Sequence, residues 1–154
     1  MPHVAGRVEE ASAGWPVRPR VVHGDADKWA AFGEADAALA ASGTVSLELA
    51  LAGVPLVSCY RTDPLFGSLM MRMITSWSGS LPNLIAGWPV VPEYYDAQVR
   101  PERLARHMEQ LWADTPARAA QVAGFSEVAA RMAMARPPGE LAAEAVLARI
   151  ESRS

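Results

Sequence analysis

The tightest constraint on this chain lies between residues 35 and 61, "ADAALAASGTVSLELALAGVPLVSCYR". A short apolar run, "DAALAA" at 36–41, breaks at Ser42, Gly43 and Thr44. A mostly apolar helical pattern then runs over 42–52. It stops at Gly53, where a left-handed C-terminal residue belongs. Pro55 opens a second short run, "LVSCY" at 56–60. Upstream, "VRPRVVHG" is rich in β-branched residues and closes on Gly24, which predicts a strand over 20–23. "DADKWAAFGEA" predicts a helix with Asp25 or Asp27 as N-cap and Trp29, Ala30 and Phe32 on its apolar side. Strand, helix, strand, helix, strand with short connections points to an α/β fold with a parallel sheet covered on both faces.

The rest of the chain extends that plan. A helix is expected over 64–76, a strand or loop over "SLPNLIAG" at 80–87, and an irregular stretch over "PVVPEYYD" at 89–96. Three C-terminal helices follow at 101–112, 116–134 and 138–150, each with a proline near its first turn, where the missing N–H costs nothing. Residues 1–16, broken by Gly14, Trp15 and Pro16, read as an arm or helix remnant, and 17–154 as one domain. A chain of 154 residues, 51% hydrophobic and 20% charged, can bury a core without disulfides.

Several function classes drop out. A net charge of −3 gives no support for nucleic-acid binding. The one cysteine, Cys59, excludes an internal disulfide and fits a reducing compartment. His3, His23 and His107 show no metal-ligand spacing, and His107 reads as solvated. The five tryptophans share no spacing and read as packing anchors. "MPHVAGRVEE" is not a secretion signal, and no apolar run is long enough to span a bilayer. The chain therefore reads as cytoplasmic, or peripheral on the cytoplasmic face of a membrane. "PLFGSLMMRMITSW" at 64–77 carries a broad apolar face read as core packing. A lipid contact beside Arg61 and Arg72 and a partner surface are its alternatives.

Glu48 is the only carboxylate in an otherwise apolar helix. Ligands of parallel α/β sheets collect at the C-terminal strand ends, where helices begin. Ser42 is a good N-cap, Gly43 allows close approach to the backbone, and Thr44 adds a hydroxyl. Free first-turn amides and the helix dipole favour a phosphate there. Glu48 shares a helical face with Thr44 and lies about 9 Å along the axis from Ser42 at ~1.5 Å per residue. That is near the span from a diphosphate to its ribose, whose two hydroxyls one carboxylate can accept. The same residues also read as a plain cap with an acid that suits the dipole. Neither GxGxxG, GxxxxGK[ST] nor G-x-S-x-G is present.

The stretch 35–61 closely resembles the C-terminal domain of the lipid-A-disaccharide synthase family, glycosyltransferases of the GT-B type. "SLPNLIAG" and Pro92-Glu93 match two further blocks, and the resemblance covers residues 17–150. It implies a Rossmann-like half of a GT-B fold. It also implies transfer of 2,3-diacylglucosamine from UDP to 2,3-diacylglucosamine 1-phosphate, forming lipid A disaccharide and UDP. No cofactor or essential metal is implied, and the donor substrate is UDP-2,3-diacylglucosamine.

By the resemblance, Ser42, Gly43, Thr44, Arg61 and Asn83 hold the phosphates and Glu48 the ribose. Gly24 and Asp25 lie near the uracil, and Tyr60 and Glu93 near the sugar. The family commonly has Gln three residues after the Pro-Glu glutamate, and here that position is Asp96. The family's N-terminal domain, with the lipid acceptor contacts and the catalytic base, has no counterpart here. Residues 1–16 then read as a remnant of the interdomain region. The chain is expected to be a truncated, inactive form that pairs with an N-terminal half or with itself near the inner membrane. The alternatives are a non-catalytic UDP-binding or interaction module, and another GT-B UDP-sugar transferase such as that of peptidoglycan synthesis.

Overall fold

The computed structural model describes residues 2–41, 43–62 and 76–152. In chain order its elements are α1 (Pro2–Ser12), α2 (Asp25–Glu34), β1 (Ala38–Ala40), α3 (Thr44–Leu51), β2 (Leu56–Tyr60), α4 (Leu81–Ala86), β3 (Glu93–Tyr95), a 3₁₀ turn (Asp96–Gln98), α5 (Pro101–Trp112), α6 (Pro116–Met132) and α7 (Pro138–Glu151). The sheet is parallel, in the order β1-β2-β3. Leu39 pairs with Val57, and Cys59 with Tyr94. Leu56, Val57 and Ser58 are all buried although successive side chains point to opposite faces, so the central strand is covered on both sides. This is the α/β, Rossmann-like architecture the sequence predicts.

α3, α4 and α6 pack on one another, and α5 packs on β2 and α6. Leu49, Ala50, Leu56, Val90, Val91, Phe125 and Val128 form the centre of the core, with Phe32 of α2 and Ala35, just past its end, packed on it. The core draws on α3 and on the distant α6, where Gln121, Gly124, Phe125 and Val128 lie on one face and are buried.

Two buried amides lock this core. Gln121 of α6 accepts from the Leu56 N–H (2.8 Å) and donates to the carbonyls of Leu56 (3.0 Å) and Val90 (3.1 Å). Asn83 of α4 accepts from the Val91 N–H (2.7 Å) and donates to the Val91 carbonyl (2.9 Å). Ser80, just before α4, is fully buried, and its Oγ has no hydrogen-bond partner among the described residues. Ser80→Ala is therefore expected to be neutral or to stabilise by up to about 1 kcal/mol, since no bond is lost with the hydroxyl. A urea midpoint that falls in this variant would show a hidden partner.

The structure corrects several expectations. Residues 20–23 form no strand. Val22 is exposed, the segment pairs with no strand among the described residues, and Arg20 instead pairs with Glu34 of α2 (2.5 Å). The strand expected over 36–41 shrinks to Ala38–Ala40, with Leu39 half exposed at the sheet edge. The start of α2 is capped by Gly24, with Asp25 and Asp27 inside the first turn.

Residues 80–87 hold helix α4. Pro82 sits in its first turn and Gly87 closes it at φ 78, the Pro-first, Gly-last pattern that marks a short helix. The stretch 89–96 is not wholly irregular, because Glu-Tyr-Tyr pairs with β2 as β3. His107 is half-buried rather than solvated. Its Nδ1 lies 2.9 Å from the Tyr94 hydroxyl, and burial pushes its pKa down. All five tryptophans are substantially exposed, so they do not anchor the core. Trp88 alone docks by its ring nitrogen, donating to Glu127 (3.0 Å). The helix expected over 64–76 lies almost wholly outside the described residues.

β2 and the C-terminal helices match their expected bounds closely, and Gly53 takes the left-handed conformation (φ 75) after α3. No helix among the described residues is long and apolar enough to cross a membrane.

Candidate functional site

In a parallel sheet every strand ends on the same edge, and here that edge gathers Gly43, Thr44, Tyr60, Arg61, Thr62 and Asp96. The turn from β1 into α3 is made by Gly43 at φ 131, ψ −158, which a side chain would strain. Gly43, and not Ser42, stands at the N-cap, and no side chain among the described residues caps the helix; Ser42 lies outside the described residues. The buried Ser46 hydroxyl donates to the Gly43 carbonyl (2.6 Å), turning that carbonyl into the helix. The first-turn amides of Thr44 and Val45 have no acceptor among the described residues. Such a helix start can hold an anion.

Glu48 is one turn deeper on α3, with its side chain one-third exposed. Its Oε1 accepts from the Lys28 ammonium at 2.9 Å, and Lys28 also reaches Asp25 at 3.2 Å. The Glu48 contact, then the Asp25 contact, raises the lysine pKa. Lys28 thereby draws α2 and its Gly24 N-cap against α3, which puts Gly24, Asp25 and Glu48 in one cluster. Sequence reasoning missed Lys28, yet a signal was present: it is the only lysine among 14 basic residues. Elsewhere this chain uses Arg, and here it uses a compact point charge.

Tyr60 and Arg61 are exposed at the end of β2. Asn83 and Glu93 are placed differently. Asn83 is fully buried, and its amide nitrogen donates to the Val91 carbonyl and to Glu93 Oε2 (3.0 Å). Glu93 also accepts from the Ser78 hydroxyl (2.5 Å), the Gly79 N–H (3.1 Å) and the Tyr95 hydroxyl. Together the pair ties the loop before α4 to the start of β3. Asp96 accepts from the Thr62 N–H and hydroxyl, which with Arg61 nearby lowers its pKa. No group of three or more His, Cys, Asp or Glu among the described residues could hold a metal ion.

Fold and site together define a Rossmann-like α/β domain whose polar groups converge where its parallel strands end. The family model described as lipid-A-disaccharide synthetase matches residues 7–137. The chain belongs to that family. It is 46% identical over 148 residues to a lipid-A-disaccharide synthase of Rhodopseudomonas palustris (strain BisB18), covering 96% of this chain and 37% of the relative. The corresponding protein of Bradyrhizobium diazoefficiens is 42% identical over 149 residues, covering 96% and 38%. That of Rhodospirillum centenum is 44% identical over 154 residues, covering 99% and 38%. The chain thus spans a little over a third of the length of the curated relatives it matches.

Proposed function

We propose that residues 17–154 form the UDP-binding wall of a GT-B lipid-A-disaccharide synthase. In this reading the donor is UDP-2,3-diacylglucosamine, the acceptor is 2,3-diacylglucosamine 1-phosphate, and the products are lipid A disaccharide and UDP. The observation that carries it is the α3 entrance. Free amides at Thr44 and Val45 stand one turn above a carboxylate held by Lys28, in a chain that belongs to this family.

The diphosphate sits on the Gly43–Thr44 turn, with Ser42 beside it and Arg61 supplying a fixed positive charge. The ribose hydroxyls donate to Glu48, and the uracil lies toward Gly24 and Asp25. Tyr60 faces the sugar. Asn83 and Glu93 act at one remove, by fixing the loop at 78–80.

As the glycosidic bond to UDP breaks, negative charge builds on the leaving diphosphate. Preorganised amides and the helix dipole stabilise that charge, work that other transferases give to a divalent cation. Neither a metal nor a cofactor is needed in this scheme. The base that activates the acceptor hydroxyl belongs to the part of the relatives that this chain does not span. Exposed apolar residues on α7 (Val146, Leu147 and Ile150) suit burial against such a second part or another copy. The lipid substrates favour work at the cytoplasmic face of the inner membrane.

Titration with UDP, followed by amide NMR, tests the reading. Shifts are expected to concentrate at Gly43–Glu48, Gly24–Lys28 and Tyr60–Thr62, and the chain alone should form no disaccharide. Shifts centred elsewhere, or none at millimolar UDP, would overturn it.

A further inference from the structure

β2 and β3 stop pairing at Tyr60 and Tyr95, but the chain continues the ladder by other means. Just past the last pair, Asp96 Oδ1 accepts from the Thr62 backbone N–H at 2.7 Å and from the Thr62 hydroxyl at 2.8 Å. A side chain has taken the place of the next strand carbonyl. The geometry is not free. Asp96 has φ 46, the only positive φ at a non-glycine position among the described residues. Asp and Asn tolerate that conformation best among residues with a side chain, and they persist there only when surrounding structure holds them. The 3₁₀ turn that Asp96 opens, closed by the Val99 N–H on the Asp96 carbonyl (3.1 Å), turns the chain away from the sheet at this point.

We propose that Asp96 is a positioning residue, whose carboxylate fixes Thr62 and with it the β2 exit that carries Tyr60 and Arg61. The proposal rests on the UDP reading above for its ligand. A loop left free at Thr62 would let the Arg61 guanidinium sample many positions, and ordering it on binding would cost affinity. With Thr62 held at two points, Arg61 leaves the sheet in one direction. Asp96 acts in this proposal through Oδ1, the oxygen that both Thr62 groups share.

Two variants of the 154-residue chain separate the carboxylate from the backbone. Asp96→Gly suits φ 46 and should fold, yet it removes both bonds. Asp96→Asn keeps an acceptor at Oδ1 and tolerates the same conformation. Hydrogen exchange at the Thr62 amide and UDP affinity are measured on both, with thermal melting alongside. In Asp96→Gly, Thr62 exchange is expected to speed by at least about tenfold. UDP binding should weaken by about threefold to tenfold with little change in melting. Asp96→Asn should restore most of both. Unchanged Thr62 exchange in the glycine variant would overturn the proposal, and so would faster exchange with wild-type UDP affinity. If the unaltered chain binds no UDP, the UDP reading fails, and Thr62 exchange alone still decides whether the clamp exists.

Discussion

Replacing Gln121 by Leu is expected to destabilise the fold by about 3 kcal/mol or more, a large share of the ~5–15 kcal/mol available to an ordinary domain. The reason is the position of Leu56 in the sheet. Leu56 begins β2, and Ser58 is the first β2 residue to meet β3, opposite Glu93. The Leu56 N–H and carbonyl point to the same side as those of Ser58 and find no strand there. Gln121 reaches in from α6 and completes the ladder with its own amide, taking the N–H and both the Leu56 and Val90 carbonyls. All of this is out of water: Gln121 is 4% exposed and Leu56 0%. Leucine nearly matches glutamine in volume, so packing changes little while three backbone groups lose their partner. Each stranded group costs more than the net worth of the bond it made. Gln121→Glu should also destabilise, because it keeps the acceptor but brings a carboxylate against two carbonyls. Urea unfolding of the three proteins measures this. A loss below about 1 kcal/mol for the leucine variant would mean that water or a rearranged backbone replaces the amide.

That interaction also shows where the sequence stops being readable. β2 was legible because Pro55 and an unbroken apolar run bound it, and the three C-terminal helices because a proline opens each one. These are local signals, contained in a few neighbouring residues. Gln121 and Leu56 are 65 positions apart, and nothing in either neighbourhood announces the other. Asn83 illustrates a different limit. A polar amide in a family block reads naturally as a ligand contact, and only burial reveals that its bonds close on Val91 and Glu93. The strand expected at 20–23 failed for a third reason. Two valines supply propensity, but a strand exists only beside a partner, and β propensity follows that context. At the α3 entrance the sequence placed Glu48 one turn after Thr44 on a helix, and the helix is there, but its N-cap is Gly43 rather than Ser42 and the lysine facing Glu48 comes from a separate helix.

Glu48→Ala is expected to weaken UDP by about tenfold to hundredfold, the range for hydrogen bonds made by a charged group, while barely changing pyrophosphate binding. The two ligands share the diphosphate, which the proposed reading assigns to the Gly43–Thr44 turn, and differ in the ribose and uracil, of which only the ribose is assigned to Glu48. Lys28 sharpens the expectation. It bonds Glu48 through Oε1 alone, so Oε2 has no protein donor among the described residues and remains open to a ribose hydroxyl. Lys28→Met should then cost UDP only a few-fold in affinity, through lost orientation rather than a lost contact. Glu48→Gln, which retains one acceptor, should fall between the alanine variant and the natural chain. Lys28 could instead compete with the ribose for the carboxylate, and its removal would then tighten UDP; that sign distinguishes a support from a rival. Calorimetry with UDP and pyrophosphate on the four proteins gives every comparison. Equal losses for both ligands in Glu48→Ala would place the ribose elsewhere and leave Glu48 with no task beyond joining α3 to α2.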